Sequence, residues 1–214
     1  MNKPLRVGLV GAGNWAGSAH LPALSAQENL TLAGIVDRYP ENSQKLSKAF
    51  GAPVFDSLDE MLSSGNLDIL DVVTSRGMHY EPVMKGLRNN LAILSEKPLG
   101  HQLHETRELY LEAKNRKLVT HMGFTFRYSP AVRYMRDMIQ AGEIGEVFHV
   151  QGFEQNAQLV DPNTPLPRIG FSRKTDSGAL HGYGSHLLDL VRWIAGEFDE
   201  VMATNCKGSF LCLQ

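Results

Sequence analysis

Three small residues, Gly11, Gly13 and Ala16, follow the pattern GxGxxG/A directly after an apolar run of strand length, residues 5–10. Beyond them, apolar residues recur at helical spacing through residue 24. In a turn from strand to helix, the lack of side chains lets backbone N–H groups approach a pyrophosphate at the helix N-terminus. The stretch therefore predicts a phosphate-binding turn, and the candidate contacts to a bound cofactor are Gly11, Gly13, Asn14 and Trp15.

An acid follows at the expected distance. Asp37 ends a second apolar run, residues 30–36, about 20 residues beyond the glycine loop, where a carboxylate accepts the adenosine ribose hydroxyls. The glycine pattern alone also fits a plain turn in any α/β protein, but strand, loop, helix, strand and acid in register favour a dinucleotide. We expect NAD as the cofactor, because Asp37 would repel a 2′-phosphate. NADP stays possible, because the adjacent Arg38 is suited to a phosphate.

Composition restricts the function classes. The 214 residues are 43% hydrophobic, enough for a real core, and the net charge of -2 with a pI near 6.4 argues against nucleic acid as the main partner. Two cysteines, Cys206 and Cys212, fit a reducing compartment. No apolar run approaches the ~18 residues of a membrane span, and cleavage of a signal peptide would remove the first strand and the glycine loop. We therefore expect a cytoplasmic protein without a membrane partner.

Strands and helices alternate up to residue 123. After residue 36 the patterns predict strands at 54–55, 67–74, 91–94 and 118–122, and helices at 40–50, 57–65, 79–90 and 102–117. A capping box from Ser57 to Glu60 begins the second of these helices. This alternation predicts an α/β fold, a Rossmann doubly wound parallel sheet of six strands over residues 1–123.

The pattern changes after Gly123. It predicts a helix at 130–140, a strand of an exposed sheet at 146–153, a helix within 177–195 and a strand at 200–207. A proline-rich stretch, residues 161–167, is expected to line or cover a site, or to be a plain surface connection. Residues 124–214 are therefore predicted to form an α+β domain for substrate binding and oligomerisation.

Several ordered stretches resemble one family, the glucose-fructose oxidoreductase / inositol dehydrogenase (Gfo/Idh/MocA) group. They are the glycine loop, the acid Asp37, Glu96-Lys97-Pro98, the Gly-Phe-x-x-Arg motif from Gly123 to Arg127, and Gly-Ser-His-x-x-Asp from Gly184 to Asp189. The resemblance implies an NAD(P)-dependent oxidoreductase that transfers a hydride between nicotinamide and a secondary alcohol or ketone of a sugar, polyol or cyclitol. It also implies a homo-oligomer.

The resemblance assigns roles to individual residues. Glu96 would contact the nicotinamide ribose, and Lys97 would lie between cofactor and substrate. The remaining cofactor contacts implied by the family motifs are Thr74, Ser75, His79 and Arg127.

Two residues are candidates for proton transfer. Oxidation of a secondary alcohol leaves a hydroxyl proton for a base. Lys97 suits this role because an apolar cleft beside a cationic nicotinamide disfavours the charged form of lysine and lowers its pKa. The nearby Glu96 carboxylate has the opposite effect on that pKa. A solvated loop lysine explains Lys97 equally well. His186 is the second candidate, with the hypothesis that Asp189, one turn later, orients its ring; an ordinary helix histidine is the plainer interpretation.

The sequence departs from the family pattern at Gly182, where relatives usually carry Asp four residues before the histidine. Either proton transfer shifts to Lys97 and His186, helped by His181 or Tyr183, or the chemistry is altered or absent. Two alternatives therefore stay open: a catalytically impaired NAD(P)-binding sensor, and an NAD-dependent glycosidase or eliminase.

Two further expectations concern the end of the chain and metals. The family's second domain has several more strands than this sequence, so we expect the C-terminal domain to be incomplete. His101 and His104 have no third ligand nearby in the sequence, and no metal site is expected.

Overall fold

The computed structural model describes residues 3–155, 161, 163, 180–205 and 211–213. The chain separates into two compact units, Met1–Gly123 and Phe124–Gln214.

The first unit contains a parallel five-stranded sheet in the order β2-β1-β3-β4-β5. The strands are β1 Leu5–Val10, β2 Leu30–Val36, β3 Ile69–Val72, β4 Ala92–Ser95 and β5 Thr120–Met122. The strand predicted at 54–55 is reduced to a single bridge between Val54 and Ile35 of β2. The prediction of six strands was therefore wrong by one, because this two-residue segment pairs through one position only. The predicted doubly wound parallel sheet is confirmed.

Helices connect these strands. A π-helical turn, Ala16–His20, leads into α1 Leu21–Ser25, and the other helices are α2 Pro40–Phe50, α3 Leu58–Ser63, α4 Tyr80–Arg88 and α5 Leu103–Arg116. Helix α2 has proline in its first turn and ends at Gly51, whose φ of 73° is left-handed.

The N-terminus of α3 differs slightly from the predicted capping box. Ser57 Oγ accepts the Glu60 N–H at 3.1 Å, as expected. The Glu60 carboxylate, however, accepts from the N–H of Asp56 at 2.9 Å, one residue before the cap. The helix therefore begins where the sequence predicted, with the reciprocal bond displaced by one residue.

The sheet is buried on both faces. Successive residues of β1 illustrate this: Leu9 belongs to a cluster with Leu21 and Ile35, whereas Val10 belongs to a larger cluster with Leu70 and Ile93. Burial of each such side chain contributes about 1.5–3 kcal/mol. Burial on both faces is typical of an open parallel sheet, and the candidate site lies at the carboxyl ends of its strands.

The second unit has a 3-10 turn, Thr125–Tyr128, followed by α6 Pro130–Gln140. A π-helical turn, Leu180–Gly184, continues into α7 Ser185–Ala195, and β6 Ala203–Asn205 pairs antiparallel with β7 Leu211–Leu213. The predicted helix at 130–140 is confirmed. The predicted strand at 200–207 is confirmed at residues 203–205 and was wrong at residues 200–202, whereas residues 206–207 lie outside the described part of the chain. Its partner β7 was not predicted.

The strand predicted at 146–153 was wrong. Residues 147–155 have no assigned secondary structure, and the side chains of Phe148 and Phe153 are 90% and 73% exposed. Alternating apolar residues are compatible with a strand, but a strand also requires a hydrogen-bonded neighbour. Among the described residues this segment has none. The proline-rich stretch 161–167 lies outside the described residues, apart from Asp161 and Asn163.

Within these described ranges, no helix combines the length and the apolar character needed to cross a membrane.

Candidate functional site

The glycine loop follows β1 and has two distinct glycine requirements. Gly11 has a φ of +96°, and a Cβ there would lie 2.7 Å from the backbone of Val73 and Thr74, just after β3. Gly13 is exposed, and a Cβ there would meet nothing within 4 Å. Gly11 thus permits close approach to the neighbouring strand, whereas Gly13 leaves space above the loop.

The space at Gly13 lies where the sequence predicts the pyrophosphate of a dinucleotide. Helical residues begin directly after Gly13, at residue 14, and the first N–H groups of a helix favour an anion. Ala16, in the third position of the motif, is fully buried, which allows the helix to pack closely on the sheet. A larger side chain at position 13 would occupy the space in which the pyrophosphate is predicted to bind.

Asp37, the predicted ribose ligand, also supports the glycine loop. Its Oδ2 accepts the N–H of Ala12 at 2.6 Å, and its Oδ1 accepts the N–H of Tyr39 at 2.8 Å. The carboxylate is therefore held at the end of β2, beside the loop. Arg38, the residue suited to a 2′-phosphate, is exposed next to it.

Glu96 lies just after β4 and is only 7% exposed. Its Oε1 accepts the indole N–H of Trp15 at 2.9 Å and lies 3.1 Å from His20 Nε2. The other ring nitrogen of His20 lies 2.9 Å from Oδ2 of Asp71, a buried residue of β3. Four side chains thus form one polar network: Trp15 and His20 from the helical segment after the glycine loop, Asp71 from β3, and Glu96 from just after β4.

The network changes the ionisation of its members. Burial lowers the pKa of His20, but the hydrogen bonds and charges of Asp71 and Glu96 outweigh it and raise that pKa to about 9. Burial raises the pKa of Glu96, yet the hydrogen bonds from His20 and Trp15 leave it lower than usual. Burial also raises the pKa of Asp71 above its ordinary value, against the opposing hydrogen bond from His20.

Trp15 and Glu96 were predicted as cofactor contacts, but His20 and Asp71 were missed. A signal existed, because Asp71 interrupts an otherwise apolar inner strand and a buried charge requires a partner. The sequence did not indicate that the partner was His20, 51 positions away.

The three other residues assigned to the nicotinamide half follow β3. His79 is 1% exposed, and its Nδ1 and Nε2 lie 2.6 Å from the Pro98 carbonyl and 2.9 Å from the Thr74 carbonyl. The hydroxyl of Thr74 donates to the carbonyl of Met78, and Ser75 is exposed. The ring of His79 therefore ties the segment after β3 to the segment after β4.

Lys97, the candidate base, lies in that second segment. It is half-buried, and its backbone N–H donates to Glu96 Oε2 at 3.2 Å. The Lys97-Pro98 peptide is cis. The backbone of Lys97 thus contacts Glu96, and the carbonyl of the next residue, Pro98, contacts the His79 ring.

In the second unit, Arg127 and Asp189 form a bidentate ion pair. Arg127 Nε donates to Asp189 Oδ2 at 2.6 Å, and the second bond joins Nη2 to Oδ1. The hydrogen bond to Asp189 raises the pKa of Arg127. The sequence assigned Arg127 to the cofactor and Asp189 to His186; the structure pairs them with each other, because the planar guanidinium matches both carboxylate oxygens.

His186, the second proton-transfer candidate, is buried on α7. Its ring stacks on Phe126 with centroids 4.1 Å apart and meets Phe124 edge-on at 5.8 Å. Gly182, at the position where the family pattern has Asp, is buried in the preceding π-helical turn. The described residues contain no group of three or more His, Cys, Asp or Glu side chains arranged to hold a metal ion.

Two protein-family models match the sequence of this chain. A family model described as "Oxidoreductase family, NAD-binding Rossmann fold" matches residues 5–124. A second model, "GFO/IDH/MocA C-terminal domain", matches residues 132–207.

Among curated proteins, the chain is 30% identical to a glucose-6-phosphate 3-dehydrogenase of Bacillus subtilis (strain 168), over 94% of this chain and 59% of the relative. It is 27% identical to a levoglucosan dehydrogenase of Pseudarthrobacter phenanthrenivorans, over 93% of this chain and 53% of the relative. The chain thus spans somewhat over half the length of these relatives.

Among solved structures, the chain is similar to a levoglucosan dehydrogenase in complex with NADH and L-sorbose. The TM-score is 0.82 and the identity 26%, over 93% of this chain and 55% of that one. The similarity extends across both units of the sequence.

Proposed function

The chain belongs to the Gfo/Idh/MocA family of oxidoreductases, and from that membership we infer that the protein transfers a hydride between nicotinamide and a secondary alcohol or ketone. The proposed substrates are sugars, polyols or cyclitols, the class to which the named relatives point. The first unit is the NAD-binding Rossmann domain.

One observation carries this proposal. The glycine loop and the Glu96-Lys97-Pro98 segment meet at the carboxyl-end edge of the sheet, joined by the hydrogen bond from Trp15 to Glu96. Open parallel sheets bind dinucleotides at this edge, where the strand order reverses. The meeting of a phosphate-binding loop and a lysine-bearing segment at one edge supports a cofactor site with a base beside it.

We assign the roles as follows. Gly11, Gly13 and Asn14 face the pyrophosphate, and Asp37, with Arg38 beside it, faces the adenosine ribose. Glu96 binds the nicotinamide ribose, and Trp15, Thr74, Ser75 and His79 border that half of the cofactor.

When bound, the nicotinamide supplies the hydride acceptor. Lys97 takes the hydroxyl proton of the substrate, and His186 is the second proton-transfer candidate. Arg127 acts through Asp189 to hold the second unit's helix.

The experiment is a turnover assay at the nicotinamide absorbance with a panel of sugars, polyols and cyclitols, together with the dissociation constant for NADH. We expect NADH binding and reduction of NAD by at least one substrate class. Absence of NADH binding would contradict the proposal.

A second candidate function is a cofactor-binding sensor. The buried Gly182 favours it, because the family's carboxylate is absent from that position. A sensor would bind NADH and give no turnover with the whole panel. The remaining alternative, a glycosidase or eliminase that uses NAD as an internal redox relay, would consume substrate without net change in nicotinamide absorbance.

We also propose a cytoplasmic location and a homo-oligomeric state. The few cysteines support a reducing compartment. Large exposed apolar side chains in the second unit, Phe148, Phe153, Val201 and Met202, support self-association. Light scattering of the purified 214-residue chain tests the oligomer, and a stable monomer would count against it.

A further inference from the structure

We propose that His20 is a positioning residue for the nicotinamide half of the site: anchored by Asp71, the imidazole holds the Glu96 carboxylate in the orientation that also fixes the Trp15 indole. The inference deepens the proposed function and rests on it for the identity of the ligand. The buried ring of His20 links the helical segment after the glycine loop to the Glu96-Lys97-Pro98 segment.

The geometry supports a cationic ring. His20 lies with one nitrogen 2.9 Å from Asp71 and the other 3.1 Å from Glu96, and its side chain is 9% exposed. Ionised carboxylates only accept hydrogen bonds, so both contacts are satisfied when both ring nitrogens donate. The doubly protonated ring therefore joins β3 to the end of β4 with two charge-assisted bonds.

The opposite end of the network reaches the surface. Trp15 is 52% exposed, although its indole N–H is anchored on the 7%-exposed Glu96. Gly123 closes the other side of Glu96, because a Cβ at Gly123 would lie 2.7 Å from Oε1. Glu96 therefore has little freedom while His20 holds it, and the ring plane of Trp15 follows the carboxylate.

Loss of the His20 proton must weaken this arrangement. A neutral imidazole has one N–H, so one of the two carboxylates loses its donor. The charged groups that face His20 are Asp71 from β3 and Glu96 from the end of β4, and both favour the cation. Deprotonation of His20 near pH 9 is thus expected to release Glu96 or Asp71 and to change the surroundings of Trp15.

The test is a pH titration of tryptophan fluorescence on the full chain without ligand, followed by NADH binding. Trp15→Phe identifies the part of the signal that comes from Trp15, since Trp193 is the other tryptophan. We expect a Trp15-dependent transition near pH 9 that is absent in His20→Gln. The exposed His104→Gln is the matched control and should behave as wild type.

Asp71→Asn provides a second variant that separates positioning from simple support of the fold. The amide still accepts a hydrogen bond, but the charge is gone, so the transition should move down by about 1 to 3 pH units. In NADH binding at pH 7, His20→Gln should weaken affinity about tenfold or more, because Glu96 loses the charged donor that holds its carboxylate in place.

A transition that persists unchanged in His20→Gln, or stays at its wild-type pH in Asp71→Asn, would overturn the inference. Wild-type affinity for NADH in a folded His20→Gln would also overturn it. If wild type itself binds no NADH, the proposed function fails, whereas the ligand-free titration still decides whether His20 holds Glu96 and Trp15.

Discussion

Arg127 and Asp189, 62 positions apart in the sequence, form a bidentate ion pair in which the carboxylate side chain is only 4% exposed. Removal of the guanidinium would leave a buried carboxylate without its two charge-assisted bonds. The pair therefore holds α7 to the 3-10 turn that contains Arg127.

The first prediction concerns the stability of this second unit. Arg127→Ala should lower its free energy of unfolding by about 2–4 kcal/mol, because Asp189 stays buried and charged. Arg192→Ala, which removes an exposed pair with Glu197, is the matched control and should cost about 0–1 kcal/mol. Denaturant unfolding followed by the fluorescence of Trp193 measures both. Equal effects of the two substitutions would show that burial of Asp189 is unimportant.

The second prediction is a preference for NAD over NADP, because the Asp37 carboxylate would repel a 2′-phosphate. Asp37→Asn should bring the ratio of the NADP and NAD dissociation constants closer to 1. The asparagine side chain still provides an acceptor for the Ala12 N–H. Asp37→Ala should narrow the ratio and also weaken both cofactors, since the loop loses its anchor. Tighter binding of NADP by wild type would contradict the prediction.

The third prediction compares the two proton-transfer candidates. Lys97→Met should remove hydride transfer and leave NAD binding largely intact, because the backbone bond from Lys97 to Glu96 persists. His186→Ala should cost less than Lys97→Met, within the ~10²–10⁴-fold range of a positioned acid or base. Gly182→Asp should leave kcat unchanged or raise it. Steady-state kinetics with NAD dissociation constants checks all three.

Two outcomes would change this assignment. If His186→Ala is as severe as Lys97→Met, His186 has another orienting group, and His181 and Tyr183 are the next residues to change. If wild type shows no turnover and Gly182→Asp restores none, the sensor function becomes the better account.

The fourth prediction uses two glycines with different surroundings. Gly123→Ala places a methyl group against the Glu96 carboxylate and should cost about 1–3 kcal/mol of stability. Gly13→Ala meets no neighbouring atom, so it should leave the unfolding free energy nearly unchanged and still weaken NADH binding. Thermal unfolding measures the stability of each variant, and NADH titration measures its dissociation constant for the cofactor. Loss of stability in Gly13→Ala would remove the argument for an open space above the loop.

The fifth prediction is a pH dependence of stability. The pKa of His20 is about 9 in the folded protein against an ordinary 6.5, so the folded state binds the proton more tightly. This contribution is complete below pH 6.5 and is lost as pH rises through 9. Unfolding free energies between pH 6 and 10 should fall over this window in wild type and fall less in His20→Gln. Parallel curves for the two proteins would contradict the prediction.

The elements predicted well are those with local causes. Helix α2 was predicted with its observed bounds because Pro40 and Gly51 mark its two ends. Strand β1 was predicted for a similar reason, since its apolar run ends at the glycine loop. Segments whose state depends on a distant partner were predicted poorly: residues 146–153 and the single bridge at Val54 both have the composition of a strand.

The same distinction applies to the candidate site. The loop, the acid and the Glu96-Lys97-Pro98 segment each carry a short motif, so they were found from the sequence. The partners of Glu96 and Arg127 were not found, because a hydrogen bond across 76 or 62 positions leaves no local pattern. Asp71 was passed over as part of an apolar strand, although its charge required a partner inside the protein.

The hydrogen bond from Ala12 to Asp37 has a consequence for attempts to engineer cofactor choice. The carboxylate that we propose discriminates between the two nucleotides also accepts a hydrogen bond from the backbone of the glycine loop, the proposed phosphate-binding segment. A redesign that replaces Asp37 by a small or basic residue would trade selectivity against affinity for both cofactors. A successful exchange would need a second substitution that gives the Ala12 amide a new acceptor.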